Sequence, residues 1–311
     1  MTGALDPFDV RYDVAVAGGL LRVARAGPSP GEADAVVLAI HGVTSSLEVW
    51  RSVARGLSDA TGVALLAPDL RGRGRSCGLP GPYGIAAHVA DLIDVLDDAG
   101  ARQAVLVGHS LGGFVAAGLA AEHAERVAAV ILVDGGLPVP PMPGQDLDEM
   151  LESMIDTALL RSQLTFDSVD EYADSWRAHP EFAQAWDDDV DAYCRYEAAG
   201  DRGNVRLVMS EAAVRADLTD LTYQAGAATA IERVDAPIRL LRAPRGMHDD
   251  PFPQLPRPIV DAFLAAQPEA RVDEVADVNH YTIALGAGPG PPTVASAIEA
   301  AVSGQATSTP R

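Results

Sequence analysis

Gly-His-Ser-Leu-Gly, at residues 108–112, directly follows the apolar run 104–107 and precedes a stretch of small, helix-compatible residues at 114–121. The pentapeptide therefore lies where a strand turns sharply into a helix. Such a turn holds its central serine on a strained backbone with the hydroxyl exposed, and the glycines on either side prevent steric collisions. Ser110 is accordingly a candidate nucleophile. The alternative is a solvated serine in an ordinary glycine-rich turn.

Strand-like and helix-like segments alternate on both sides of this turn. Apolar strand-like runs occur at 36–40, 63–67 and 127–133, and helix-like segments separate them. This alternation predicts an α/β fold with a mostly parallel sheet that helices cover on both faces. Residues 10–16 and 20–25, joined by Ala-Gly-Gly, predict an opening hairpin. Ser45 and Glu48 have the spacing of a capping box, which predicts a helix at 47–57.

The alternation stops between residues 135 and 233. Four prolines at 137–144 lead into helical segments around 150–160, 169–178, 182–199 and 204–218, with no strands between them. We expect residues 137–233 to form a helical cap inserted after the sixth strand. Residues 1–136 and 234–303 then form the core, and 304–311 form a flexible tail.

Further landmarks follow other strand-like segments. They are His-Gly-Val at 41–43, Asp-Leu-Arg-Gly-Arg-Gly-Arg-Ser at 69–76, Gly-Met-His-Asp at 246–249 and Val-Asn-His at 278–280. Together with the turn at Ser110, their order resembles that of the α/β-hydrolase family, in its capped serine hydrolase branch. The resemblance implies the α/β-hydrolase fold, with a mostly parallel eight-stranded sheet flanked by helices and an inserted helical cap.

The resemblance also implies a catalytic triad, because a serine needs a base and an acid that orients the base. Ser110 is the nucleophile, His280 the base and Asp249 the acid in this interpretation. Asp134, which closes the sixth strand, is the alternative acid, because some members of the family carry their acid there. His248, inside the loop of Asp249, is the rival base.

The oxyanion that forms during acyl transfer needs two backbone donors. The resemblance assigns them to the amides of Val43 and Leu111. We expect His41 and His109 to lie beside the substrate pocket. The cap holds eight of the chain's sixteen aromatic residues, and of these we place Trp176, Trp186 and Tyr193 in the pocket lining. Met142, Met150, Met154 and Met209, in or near the cap, add to its apolar character.

Composition excludes several classes of partner. A formal net charge of −21 disfavours nucleic acid and anionic membranes, which the surface would repel. No apolar run has the length of a membrane helix, residues 1–10 carry no signal-peptide pattern, and two cysteines are too few for a disulfide framework. We therefore expect a cytoplasmic protein. No metal-ligand spacing appears, so neither a metal nor a cofactor is expected.

These observations predict a serine hydrolase that cleaves a neutral, largely apolar carboxylic ester or lactone through an acyl-serine intermediate. A carbon–carbon bond hydrolase or a thioesterase of the same fold is the alternative enzyme. A ligand receptor or inactive binding protein on this fold is the alternative from another class. The partner is a small-molecule substrate, and the sequence leaves open whether the chain forms a homo-oligomer. The serine disfavours the epoxide hydrolase and haloalkane dehalogenase branches, which need a carboxylate nucleophile.

Overall fold

A computed structural model describes residues 5–57, 62–141 and 144–306, and these contain an eight-stranded sheet. Its strands are β1 (Val10–Val16), β2 (Gly19–Ala26), β3 (Ala35–Ile40), β4 (Val63–Pro68), β5 (Ala104–His109), β6 (Val127–Val133), β9 (Ile238–Arg242) and β10 (Arg271–Glu274). They lie in the order β1-β2-β4-β3-β5-β6-β9-β10. β1, β2 and β4 pair antiparallel and every later pair is parallel, so the predicted opening hairpin and mostly parallel sheet are confirmed.

Helices cover both faces of this sheet. They are α1 (Arg51–Gly56), α2 (Ile85–Asp98), α3 (Leu111–Glu122), α9 (Arg257–Ala266) and α10 (Gly290–Ala306). Alternate residues of each strand point to opposite faces. In β3, Val37 and Ala39 therefore pack into the core cluster that includes Ile298 of α10, whereas Leu38 and Ile40 pack into the cluster that includes Leu92 of α2.

A helical insertion separates β6 from β9. It consists of α4 (Leu147–Leu159), α5 (Val169–Arg177), α6 (Asp188–Glu197), α7 (Glu211–Tyr223), α8 (Ala225–Ala228) and a short ladder between β7 (Ala198–Ala199) and β8 (Arg206–Leu207). The helices expected to begin at 182 and 204 begin later, because Asp187 and Ser210 cap them by accepting hydrogen bonds from backbone amides. None of the described helices has both the length and the apolar character required to span a bilayer.

Two other segments differ from the expectation. The helix α10 extends to Ala306, so the tail expected from residue 304 is helical at its start, and residues 307–311 lie outside the described residues, as does Met142. At the opposite end of the chain, the capping box is absent. Leu47–Trp50 form a 3-10 turn whose first amide, that of Leu47, donates to Asp69 Oδ1 at 2.8 Å, while Glu48 is buried in ion pairs with Arg51 and Arg11.

Two buried aspartates of the insertion are paired with arginines of the core. Asp189, near the start of α6, accepts from Arg51 Nε at 3.1 Å and from Arg55 Nη2 at 2.6 Å. Asp217, in α7, lies 2.5 Å from Arg73 Nη2, and both of these side chains are fully buried. The insertion is therefore fixed to the core through two separate helices.

The turn after β5 depends on a close backbone approach at Gly112. A Cβ atom at this position would lie 2.1 Å from the carbonyl oxygen of Ile40 and 2.8 Å from that of His41. We expect Gly112→Ala to lower the free energy of unfolding by about 3 kcal/mol, because the backbone must move to relieve the overlap. Urea unfolding followed by circular dichroism measures this. Gly31→Ala is the control, since a Cβ at exposed Gly31 meets nothing within 4 Å. Equal midpoints for the two variants would contradict the prediction.

Candidate active site

Ser110 occupies the turn between β5 and α3. Its φ is 54° and its ψ is −120°, a backbone conformation that non-glycine residues rarely adopt. The surrounding hydrogen bonds hold it there: Ser110 N donates to Val133 O at 3.1 Å, and Gly113 N donates to Ser110 O at 3.0 Å. A Cβ on Gly135 would lie 2.4 Å from Ser110 Cα, so the chain that leaves β6 packs directly against the serine.

His280 lies against the end of β6. It is 5% exposed, and its Nδ1 lies 2.7 Å from Asp134 Oδ2. The second oxygen of Asp134 accepts from Ala243 N at 3.0 Å, so both carboxylate oxygens are used and the side chain is fixed. Because Asp134 immediately precedes Gly135, these contacts bring Ser110, His280 and Asp134 into one cluster. Ser110 Oγ forms no hydrogen bond with another described residue.

The position of Asp249 differs from the sequence expectation. Asp249 accepts from Asn279 Nδ2 at 3.1 Å and pairs with Arg245 Nε at 3.1 Å. Within the described ranges it forms no hydrogen bond with His280. The reason is a tight turn in which Gly246 N donates to Asp250 O at 2.9 Å, while Asp249 itself has a left-handed φ of 59°. The side chain in the acid position on His280 is therefore Asp134, the alternative.

His248, the rival base, lies away from the serine turn. Its side chain is 63% exposed, and its Nδ1 lies 2.9 Å from Oε1 of the buried Glu181. Glu181 comes from the helical insertion. The contact links the loop after β9 to that insertion and supplies no base to Ser110.

The loop after β3 lies against the serine on its other side. A Cβ on Gly42 would lie 3.2 Å from Ser110 Cβ. The carbonyl of Gly42 accepts from His41 Nδ1 at 2.8 Å, which fixes the peptide plane that also carries the Val43 amide. Neither the Val43 amide nor the Leu111 amide donates to another residue in the described part of the chain. The two predicted oxyanion donors therefore flank Ser110 and are available for a ligand.

A buried charge network supports this loop. Arg73 Nε donates to the carbonyl of Val43 at 2.9 Å, and Asp217 pairs with Arg73 on one side and with His88 on the other. Burial alone would raise the pKa of Asp217, but the charges of Arg73 and His88 lower it instead. An ionised Asp217 in turn keeps the Arg73 guanidinium in place beneath Val43.

His41 and His109 hold the backbone and do not line a pocket. His41 Nε2 accepts from Leu70 N at 2.9 Å, in addition to the bond from Nδ1 to Gly42. His109 Nε2 donates to the carbonyl of His280 at 2.8 Å, and the two rings lie 4.7 Å apart. Burial lowers the pKa of both His41 and His109 to about 3, so both rings are neutral near pH 7. Each ring instead fixes a segment on which a proposed catalytic group sits.

The three cap aromatics expected in the pocket lie at different distances from His280 and the loop of Gly42. Trp176 packs against Tyr281, with ring centroids 5.9 Å apart, and Tyr281 packs against His280 at 5.8 Å. Tyr193 Oη lies 3.3 Å from Ser45 Oγ, just after the loop of Gly42. Trp186 is further from His280, because its ring packs against Phe182, with centroids 6.5 Å apart, and Phe182 in turn packs against Tyr281. Arg177 covers the Trp186 ring.

Arg161 and Tyr281 belong to this site, and the sequence analysis missed both. Arg161 lies 4.3 Å from the centroid of the Trp176 ring, and its Nη2 donates to Thr44 Oγ1 at 3.3 Å. No local pattern marks Arg161, since it follows α4 in an ordinary 3-10 turn. Tyr281 had one signal, its position directly after His280.

Comparison with known proteins agrees with the fold. The alpha/beta hydrolase fold family matches residues 35–169. Lipase LipV of Mycobacterium tuberculosis is 40% identical over 135 residues, which are 43% of this chain and 48% of the lipase. Epoxide hydrolase A of the same organism is 44% identical over 128 residues, 40% of this chain and 36% of that protein. The putative carbamate hydrolase RutD of Variovorax paradoxus is 33% identical over 166 residues, 53% of this chain and 60% of that protein. The matched region thus spans about half or less of the first two relatives.

Solved structures resemble the chain over nearly its full length. The crystal structure of E-2-(acetamidomethylene)succinate hydrolase matches with a TM-score of 0.74 at 20% identity. The match covers 94% of this chain and 99% of the hydrolase chain. A thioesterase domain from the curacin biosynthetic pathway has a TM-score of 0.71 at 20% identity, with coverages of 94% and 98%. Identities this low show the fold alone. With the sheet order, they show that the chain has the α/β-hydrolase fold, and the family resemblance extends over residues 35–169.

Proposed function

We propose that the protein is a serine hydrolase that cleaves a carboxylic ester through an acyl-serine intermediate. The observation that carries the proposal is the buried pair of His280 Nδ1 and Asp134 Oδ2, 2.7 Å apart, beside the strained turn at Ser110. A buried carboxylate on one ring nitrogen selects the tautomer in which the other nitrogen can accept a proton. The alignment of this chain with the lipase supports ester cleavage.

The first half-reaction forms the acyl-serine. His280 Nε2 takes the proton of Ser110 Oγ as the oxygen attacks the carbonyl carbon, and Asp134 stabilises the resulting imidazolium. The amides of Val43 and Leu111 bind the oxyanion. When the tetrahedral intermediate collapses, the bond to the alcohol oxygen breaks and His280 returns its proton to that oxygen. Each backbone donor of this kind contributes about 3 to 4 kcal/mol of transition-state stabilisation.

Water completes the cycle by the same steps. His280 removes a proton from water as it attacks the acyl carbon, and then protonates Ser110 Oγ as the acid leaves. A lactone follows the same route, with the alcohol and the acid joined in one product. Thioester or carbon–carbon bond cleavage would use the same residues and remains the alternative reaction. The aromatic side chains of Trp176, Tyr193 and Tyr281 favour a substrate that carries an apolar portion.

The test is covalent labelling with a fluorophosphonate, which reacts with an activated serine. We expect stoichiometric labelling at Ser110, identified by peptide mass spectrometry, together with steady-state hydrolysis of 4-nitrophenyl butyrate. Ser110→Ala is the unlabelled control. A wild-type protein that remains unlabelled and cleaves no ester would instead be a ligand receptor or inactive binding protein on this fold. Labelling without ester turnover would favour thioester or carbon–carbon cleavage.

A further inference from the structure

One cationic side chain of the insertion reaches the proposed oxyanion loop. Arg161 stands just after α4, and its Nη2 lies 3.3 Å from Thr44 Oγ1. Thr44 directly follows Val43, whose amide is a proposed oxyanion donor. The guanidinium is therefore close to where the carbonyl group of a substrate would bind.

Aromatic contacts connect the same guanidinium to the base. Trp176 covers Arg161, and the Trp176 ring contacts Tyr281, which contacts His280. Arg161 thus contacts the residue after the proposed oxyanion donor Val43 directly, and Trp176 links it to the residue next to His280. Because the guanidinium carbon lies over the Trp176 ring, its N–H donors are left to pair with groups around the ring's edge.

The charge of Arg161 is incompletely paired. Nη1 is buried and donates no hydrogen bond to any described residue. The carboxylate oxygen paired with Nη1, Glu197 Oε2, lies 3.8 Å away, beyond hydrogen-bonding distance, and Tyr172 Oη donates to that same oxygen at 3.4 Å. Burial raises the pKa of Glu197 above its ordinary value, which disfavours the charged form of the carboxyl group beside Arg161. A buried guanidinium donor without an acceptor is costly, and an anionic group of a bound ligand would remove that cost.

We propose that Arg161 binds a free carboxylate of the substrate, so that the preferred ester is the half-ester of a dicarboxylic acid. A guanidinium presents paired donors that match the two oxygens of a carboxylate, and the Thr44 hydroxyl adds another hydrogen-bonding group beside it. The inference deepens the proposed ester hydrolysis and rests on it. It also revises the expectation of a neutral substrate, because that expectation was based on the net charge of the whole chain. At physiological ionic strength, exposed charges are screened beyond about 8 Å, whereas Arg161 would touch its ligand.

The experiment compares two substrates of equal shape and different charge. They are the monoethyl ester of glutaric acid and the ethyl ester of its monoamide, in which a neutral amide replaces the carboxylate. We expect the wild-type protein to show a kcat/KM about 10- to 100-fold higher for the carboxylate, since a site built for a charged group discriminates against its neutral isostere. In Arg161→Gln this ratio should fall close to one. Arg161→Lys should retain an intermediate ratio, because it keeps the charge and loses the paired donors.

Arg177→Gln is the matched control. Arg177 also covers a tryptophan of the insertion, Trp186, but its side chain is 54% exposed and pairs with Asp191. This variant should keep the wild-type ratio. A wild-type ratio near or below one, or the same ratio in Arg161→Gln as in the wild type, would overturn the proposal while ester hydrolysis stands.

A second measurement covers the case in which the Arg161 variants fail to fold or no ester is cleaved. Glutarate should raise the melting temperature of Ser110→Ala, measured against glutaramide at the same concentration and ionic strength. Failure of glutarate to stabilise this variant more than glutaramide would overturn the carboxylate site. Stabilisation without any ester hydrolysis would retain the site and overturn the proposed reaction instead.

Discussion

Ser110→Ala should lower kcat for ester hydrolysis by about a million-fold, and His280→Ala should lower it by a similar factor. The two groups act as one unit, because the serine attacks only when the histidine takes its proton. The double variant should therefore be scarcely slower than either single variant. Active-site titration of purified protein, followed by steady-state kinetics at saturating ester, gives these values.

His248→Ala is the control for the histidine substitution. His248 is largely exposed and contacts Glu181 in place of Ser110, so its loss should change kcat less than about threefold. Retention of a tenth of the activity in Ser110→Ala or His280→Ala would remove that residue from its proposed role. A large loss in His248→Ala would assign the base to the loop after β9.

Asp134→Asn should lower kcat by about ten-thousand-fold, whereas Asp249→Asn should lower it by less than about tenfold. An asparagine at 134 presents an amide to His280 Nδ1 and favours the tautomer whose Nε2 cannot accept the serine proton. Asp249 contacts Asn279 and Arg245 without touching His280. Steady-state kinetics with 4-nitrophenyl butyrate compares the two variants directly.

The two substitutions form a matched pair. Both aspartates have a left-handed φ, 46° at Asp134 and 59° at Asp249, and asparagine tolerates that conformation as well as aspartate does. Changes in backbone strain are therefore equal, and thermal melts establish that both variants fold. A greater loss in Asp249→Asn would return the acid to the loop after β9, where the sequence analysis put it.

The turn at Ser110 could be predicted because its determinants are local. A strand, two glycines and a run of small helical residues lie within about twenty positions of the serine, and they leave the backbone few alternatives. The sheet could be predicted for the same reason, from apolar runs separated by helical segments. His280 needed chain order as well, and that came from the family resemblance.

The acid could not be chosen from the sequence alone. Asp134 and Asp249 each follow a strand that ends at the same edge of the sheet, and the strand order then favours Asp134 because β6 lies beside β5. The tight turn at Gly246 also directs Asp249 toward Asn279. Both facts depend on long-range packing. The one local feature that accompanies Asp134 in the sequence is the glycine that follows it, Gly135, which allows the close approach to Ser110.

The role of Arg161 is still harder to predict from the sequence than the identity of the acid. Its contact with Thr44 joins residues 117 positions apart, and it depends on how the insertion packs over the loop after β3. The capping of Leu47 by Asp69, 22 positions away, is a smaller case, in which a distant carboxylate replaced the expected local cap. Both contacts join side chains from distant segments, and the local pattern of apolar and polar residues does not predict such contacts.

The two buried aspartates that fix the insertion have a consequence for how substrate enters and product leaves. Swinging the insertion away as a lid would separate Asp189 from Arg51 and Asp217 from Arg73, and removing one partner of a buried pair typically costs about 3 to 5 kcal/mol. We therefore expect ligand to exchange through rearrangements of individual side chains and not through domain opening, which takes microseconds to milliseconds. For the proposed ester hydrolysis, we therefore expect acylation or deacylation of Ser110, and not opening of the insertion, to limit kcat.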